Sequence, residues 1–273
     1  MGFEAFTANA IDYLPCRYGT SKLMFRGPRR RLSGAYVAVL GGSQTYGTFV
    51  AAPYPALLET ALGLPVANFG LPNAGPDIFA AEPVIIDACS RARVTVVQLM
   101  GAETLSNRFY AVHPRRNDRF LRASAMMKSI FCDVDFNQFR LVRPMLAALR
   151  HHAPDRFHVL EEELAAAWLG RMRLLLQKIE GPVLLLWLDG GAAAEPPDGL
   201  GPDPLLVREQ MVRAIRPFAS GLVRLSPTVA ARRAGTDGMR YAPGEEAVAA
   251  TLPGPAAHAE IATALVPAIQ RLL

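Results

Sequence analysis

Five short runs of nearly continuous apolar residues, at 36–40, 66–69, 94–100, 183–188 and 222–225, punctuate the chain. None shows strict polar–apolar alternation, so each reads as a strand covered on both faces, as in a parallel sheet. Helical periodicity fills 54–62, 77–91, 204–218 and 256–272. This rhythm predicts an α/β fold, a three-layer α/β/α sandwich around a mostly parallel five-stranded sheet. About 80 residues separate the third run from the fourth, far more than one crossover needs. They hold an Arg-rich loop, then "DFNQFRLVRPMLAALRHH" and "VLEEELAAAWLGRMRLLLQKI". The last segment carries an apolar stripe with Glu early and Arg and Lys late, which suits the helix dipole. The interval at about 108–180 is therefore predicted to be a helical insertion, acting as a lid or an interface. Residues 1–34 are polar and irregular, and are predicted to be an N-terminal extension over the surface of a single domain at 35–273. A Gly/Pro loop, "GGAAAEPPDGLGPDP", occupies 190–204.

Composition narrows the class. Hydrophobic residues make up 51% and charged residues 19% of 273 positions, values of an ordinary globular chain. No apolar window reaches membrane-spanning length, and the first residues lack the basic start and apolar core of a secretory leader. Cys16, Cys89 and Cys132 are widely spaced and odd in number, which predicts reduced thiols in a cytoplasmic protein. The net charge of +5 is almost entirely arginine, with Lys only at 22, 128 and 178. Two clusters, "FRGPRRRL" (25–32) and "NRFYAVHPRRNDRFLR" (107–122), read either as a solvated basic surface or as a site for an anionic group. No nucleic-acid motif accompanies them, so nucleic acid is not an expected partner. Neither GxxxxGK[ST] nor GxGxxG follows the first strand, and no Cys/His spacing suits a metal. The expectation is therefore no cofactor and no metal; a homo-oligomer is compatible with the composition.

Candidate chemistry gathers where strands end. The first strand runs into Gly41-Gly42-Ser43, placing a hydroxyl at the carboxyl edge of the sheet, where ligands bind in open α/β folds. Ser43 reads equally well as a nucleophile or as the cap of the next helix. The second strand exits through "VANFGLPNAGPDIF", where Asn68, Gly70, Asn73 and Gly75 crowd a loop. A glycine amide there suits an oxyanion, although any tight βα turn looks alike. The third exits through "QLMGAETLSNRFY", with Glu103, Thr104, Ser106 and Asn107 beside the same edge. His258, in "LPGPAAHAEIATAL", opens the last helix.

Segments after strands one, two, three and five thus carry Ser, Gly, Asn and His in that order, which resembles the SGNH (GDSL-type) hydrolase superfamily. The wider sequence, with "CRYG", "GGSQTYG", "SNRFY" and "HPRRNDRF", is similar to an uncharacterised bacterial domain family of that type. The resemblance implies a flavodoxin-like sheet and assigns Ser43 as nucleophile, Gly70 and Asn107 as oxyanion donors and His258 as base. Gly42 and Pro255 stand where that superfamily usually has aspartates, and Ala102, Glu103 and Thr104 stand where its Asn falls. A Ser43–His258 dyad, or an orienting acid from elsewhere such as Asp237 or Glu246, would replace the triad. The implied function is a serine esterase or O-acyltransferase acting on a polar, carbohydrate-like ester, with Asn73, Glu103, Arg108, Arg115 and Arg116 contacting substrate. The alternative is a non-catalytic protein of the same fold that binds an anionic sugar, nucleotide or glycan.

Overall fold

The computed structural model describes residues 11–190 and 198–273. Its strands are β1 (Val37–Gly41), β2 (Val66–Gly70), β3 (Val94–Gln98), β4 (Tyr110–His113), β5 (Arg116–Ala123), β6 (Val183–Leu188) and β7 (Gly221–Leu225). Five of them form one parallel sheet in the order β2-β1-β3-β6-β7, and β4 pairs antiparallel with β5. All five predicted strands are present, and the α/β fold with a five-stranded parallel sheet is as expected. The order changes direction at β1, so a crevice opens between the carboxyl ends of β1 and β3.

Helices α1 (Ser43–Tyr46), α2 (Tyr54–Leu62), α3 (Pro76–Ala80) and α4 (Pro83–Arg91) fill the first two crossovers. The predicted helix at 77–91 is broken in two, because Pro83 supplies no amide to continue α3 and instead starts α4. Helices α5 (Ala125–Ile130), α6 (Val142–His152) and α7 (Pro154–Lys178) precede β6. Then come α8 (Glu209–Ile215), α9 (Val229–Ala234), α10 (Glu246–Ala249) and α11 (Pro255–Gln270). The helix expected at 204–218 is thus confined to α8 and a following 3-10 turn at Arg216–Phe218. Residues 191–197 of the Gly/Pro loop expected at 190–204 lie outside the described residues, as do residues 1–10 of the expected extension.

Alternate residues of each strand serve the two faces. Val37, Val39, Val94, Val96, Leu184 and Leu186 pack against Tyr54 and Leu58 of α2 and Ile261, Leu265 and Ile269 of α11. Ala38, Leu40, Phe69, Val97 and Leu185 pack on the other side with Ile85 of α4 and Leu160, Leu164, Trp168 and Met172 of α7. Helix α7 is therefore the crossover layer between β3 and β6, and the interval about 108–180 is not simply a helical insertion. It also begins with the β4–β5 hairpin. The Trp168 indole N–H donates to the Met100 carbonyl at 2.8 Å, fixing the chain just past β3.

The stretch before β1 is also built into the core rather than laid over it. Cys16 and Phe25 exchange backbone hydrogen bonds of 2.9 Å, and the Tyr18 and Phe25 rings sit 5.0 and 5.4 Å from the Phe69 ring of β2. Arg26, only 6% exposed, donates to the carbonyls of Tyr46 (3.1 Å), Gly47 (2.6 Å), Val50 (2.8 Å) and Ala51 (2.8 Å). Burial pushes its pKa down. Its neighbours in the basic cluster are also engaged: Arg30 pairs with Glu59 at 2.6 Å, and Arg29 lies over the Tyr18 ring.

Arg26→Met is expected to lower unfolding free energy by about 3 kcal/mol, since four carbonyls lose a charged donor. Arg26→Lys should recover only part of that, because an ammonium cannot fork across two carbonyl pairs. Urea denaturation of the three proteins measures both differences.

Candidate functional site

Ser43 is placed by a very tight turn. At Gly41 a Cβ would stand 2.0 Å from Thr45 Oγ1 and 2.4 Å from Gln98 Oε1, so the strand can end there only without a side chain. Gln98, the last residue of β3, accepts from the Gly42 amide (3.1 Å) and the Thr45 hydroxyl (2.6 Å) through the same Oε1. Thr45 Oγ1 also lies 2.7 Å from the Tyr54 hydroxyl. The cap of α1 is Gly42 and makes no side-chain bond, so Ser43 is the first helical residue and not the cap. Its hydroxyl donates to Asn73 Oδ1 (3.1 Å) and accepts from the Asn73 amide (3.0 Å). Asn73 has φ +56°, a left-handed conformation that Asn tolerates better than most residues.

Ser43 opens onto a cavity of about 780 Å³ at the carboxyl edge of the sheet. Its walls include Gln44, Asn73, Gln98 and Glu103, with Tyr13, Tyr46 and Tyr241 as aromatic surfaces. Asp118, Arg143, Asp203, Arg240 and Glu245 supply the charge. Arg143 is already committed, bonding Asp198 at 2.5 Å and Asp203 at 3.0 Å. Burial and then the charge of Asp203 push the Glu103 carboxyl up to about 8, against the opposing pull of its own backbone amide and of Arg143.

Of the residues expected to do chemistry, Ser43, Asn73 and Glu103 share this cavity; the others serve elsewhere. The Gly70 amide donates to Asn68 Oδ1 at 2.8 Å and so is not a free oxyanion donor. A Cβ at Gly70 would stand 2.3 Å from the Tyr46 nitrogen, so glycine is needed there to let α1 lie on β2. Asn107 folds on its own turn, accepting from the Phe109 and Tyr110 amides (2.8 and 3.1 Å) and donating to the Leu105 carbonyl (2.9 Å). Arg108 pairs with Glu163, and Arg115 and Arg116 are exposed at the β4–β5 turn; none of the three lines the cavity.

His258 is also displaced from its expected role. It is 1% exposed and packs at the start of α11 among residues facing α2. Its Nδ1 accepts the Tyr54 amide at 3.0 Å, its ring stacks 5.8 Å from the Tyr54 ring, and no hydrogen bond joins it to Ser43. Burial, and secondarily the charge of Arg26, push its pKa down to about 3. It is a neutral core histidine with Nδ1 as acceptor, so the expected Ser43–His258 dyad is not assembled.

The one sequence signal for Gln98 is a glutamine inside the apolar run "VTVVQLM". Arg143 and Asp203 gave no local signal, being 60 residues apart.

The family described as a domain of unknown function (DUF6473) matches residues 1–273. No curated protein matches the chain. Similar solved structures include a carbohydrate esterase family 2 enzyme with a carbohydrate-binding domain from Corynascus thermopiles (Myceliophthora fergusii). It is 12% identical, with 90% of this chain and 68% of that one covered and a TM-score of 0.43. A putative lipolytic protein of the G-D-S-L family from Desulfitobacterium hafniense is 12% identical, covering 87% and 99%, with a TM-score of 0.39. A catalytic mutant of an acetylxylan esterase from Geobacillus stearothermophilus is 14% identical, covering 87% and 94%, with a TM-score of 0.42.

Gly70→Ala is expected to destabilise by about 3 kcal/mol or more, since backbone must move to admit the methyl group; thermal or urea unfolding measures it. For His258, the folded pKa lies below the unfolded one of 6.5. The unfolded chain then binds the extra proton, and stability falls as pH drops from 6.5 towards about 3, by up to about 1.4 kcal/mol per unit. His258→Asn keeps an acceptor for Tyr54 and should remove that acid-side slope, whereas His258→Ala should cost about 2 kcal/mol even at neutral pH.

Proposed function

The chain belongs to the DUF6473 family, and we propose that its cavity receives a neutral, carbohydrate-like ester with the ester carbonyl at Ser43. The observation that carries this reading is the Ser43 hydroxyl itself. It stands at the mouth of a concave site, engaged by an amide and a carbonyl of Asn73 and by no group of the core. Tyrosine faces suit the apolar faces of a sugar ring, and the amide and carboxylate groups suit its hydroxyls. The charge balance supports a neutral ligand over an anionic one. With the Arg143–Asp203 pair set aside, Asp118 and Glu245 outnumber Arg240 in the cavity.

In this reading Ser43 Oγ meets the acyl carbon, and the Asn73 amide, released from Oγ, donates to the carbonyl oxygen. The Ser43 amide, at the first position of α1, has no acceptor within its helix and is a second donor. Acyl transfer to Ser43 breaks the ester C–O bond, with the Oγ proton leaving on the departing alcohol; water or another hydroxyl then takes the acyl group and its proton returns to Ser43 Oγ.

One observation favours a second reading, in which the cavity holds its ligand without turnover. The group that accepts from the Ser43 hydroxyl is the Asn73 carboxamide, which takes up no proton at neutral pH, and His258 is committed to Tyr54.

A serine-directed fluorophosphonate probe separates the two. Covalent labelling of the wild type that is abolished in Ser43→Ala is the expected result. Labelling that persists in Ser43→Ala overturns the assignment of Ser43. Absence of any labelling, with the protein folded, leaves binding without turnover as the reading.

A further inference from the structure

Among the carboxyl groups of the cavity, Glu103 is set apart by one buried oxygen that has no partner. It lies in the 3-10 turn Ala102–Thr104 that follows β3, and its side chain folds back over Gly101, where a Cβ would stand 2.0 Å from Oε2. Oε2 is shut off from solvent and has no hydrogen-bond partner, alone in this among the side-chain atoms of the described residues. The charged groups facing it are Asp203 and Arg143. Arg143 spends its guanidinium on Asp198 and Asp203 and makes no hydrogen bond to Glu103. The Tyr110 hydroxyl approaches the same residue but donates to the Glu103 backbone carbonyl at 2.8 Å, not to the carboxyl group.

A carboxylate in these surroundings would keep one oxygen, Oε2, without a donor, beside a second carboxylate, and such a charge is costly to bury. A carboxylic acid carries its own donor. We propose that Glu103 stands in the cavity as a neutral carboxylic acid, with Oε2 as its shielded carbonyl oxygen, and that the hydroxyl on Oε1 donates in a hydrogen bond to an oxygen of the bound ligand. The ligand must then present a carbonyl, ether or hydroxyl oxygen at this point. This rests on the ester reading of the cavity for the ligand; the protonation state does not.

Burial and the charge of Asp203 act in the same direction, pushing the group up to about 8. The consequence for pH has a definite sign. The folded pKa lies above the ordinary glutamate value of 4.5, so the folded state holds a proton that the unfolded chain releases. The associated stability is complete below 4.5 and declines until pH passes about 8. Above that, the ligand meets a carboxylate instead of a donor.

Wild type, Glu103→Gln and Glu103→Ala are compared by two measurements. Infrared difference spectra of wild type against Glu103→Gln, without ligand, should show the carbonyl band of a protonated acid at about pH 6 and its loss through about pH 8. Binding of a monoacetylated methyl glucoside, followed by NMR, should weaken about tenfold in the wild type by about pH 9, as the protonated fraction falls. Glu103→Gln, whose amide can donate at any pH, should bind with little pH dependence. Glu103→Ala should bind weakly throughout. Absence of the acid band at about pH 6, or equal pH dependence in wild type and Glu103→Gln, overturns the proposal. A band that titrates as expected, with no binding by any of the three proteins, refutes the ester reading and leaves the protonated Glu103 established.

Discussion

The buried guanidinium of Arg26 is the constraint on which the site depends. A cation so nearly excluded from water needs compensation, and here it comes from four backbone carbonyls and not from a carboxylate. Two of those carbonyls, from Tyr46 and Gly47, lie where α1 ends, and their partial negative charge faces the cation. The other two, from Val50 and Ala51, belong to the chain on its way to α2. A four-residue helix has little stability of its own. Its direction, and so the direction of Ser43, is set by what grips both of its ends. Arg26 grips one end, and Gln98, through the Gly42 amide, grips the other.

Behind Ser43 the support continues as a chain of buried polar contacts. His258 of α11 receives the Tyr54 amide, Tyr54 meets Thr45 through its hydroxyl, and Thr45 shares Gln98 with Gly42. Asn68 of β2 joins by donating to the Thr45 carbonyl at 2.9 Å while holding the Gly70 amide. These links tie three strands and two helices to one short turn. The side chains in them that resemble catalytic groups, His258 above all, are occupied in holding the backbone.

The sheet was legible because strands covered on both faces leave unbroken apolar runs, and all five runs are strands of the sheet. The position of Ser43 at the sheet edge was legible for the same reason: the run ends and the glycines begin. Helix α7 was read as part of an insertion because its apolar stripe does not say which surface it covers. Only the packing of Leu164, Trp168 and Met172 on the sheet does. His258 was misread through its order in the chain, although the pattern held a counter-signal. With Ile261, Ala262 and Leu265 it falls at helical spacing on one stripe, and that stripe is the core face of α11. The charged groups that face Glu103, and the carbonyls that hold Arg26, come from other segments of the chain, and such juxtapositions leave no trace in local pattern.

The glycine at position 70 carries a consequence for reading relatives of this chain. Its missing side chain makes room for the Tyr46 backbone, a demand of geometry that is the same whether or not any substrate is ever turned over. A relative that had lost every catalytic group would still need it. Sharing this glycine therefore marks common architecture, and the chemistry of each such protein has to be judged from the groups around its own serine.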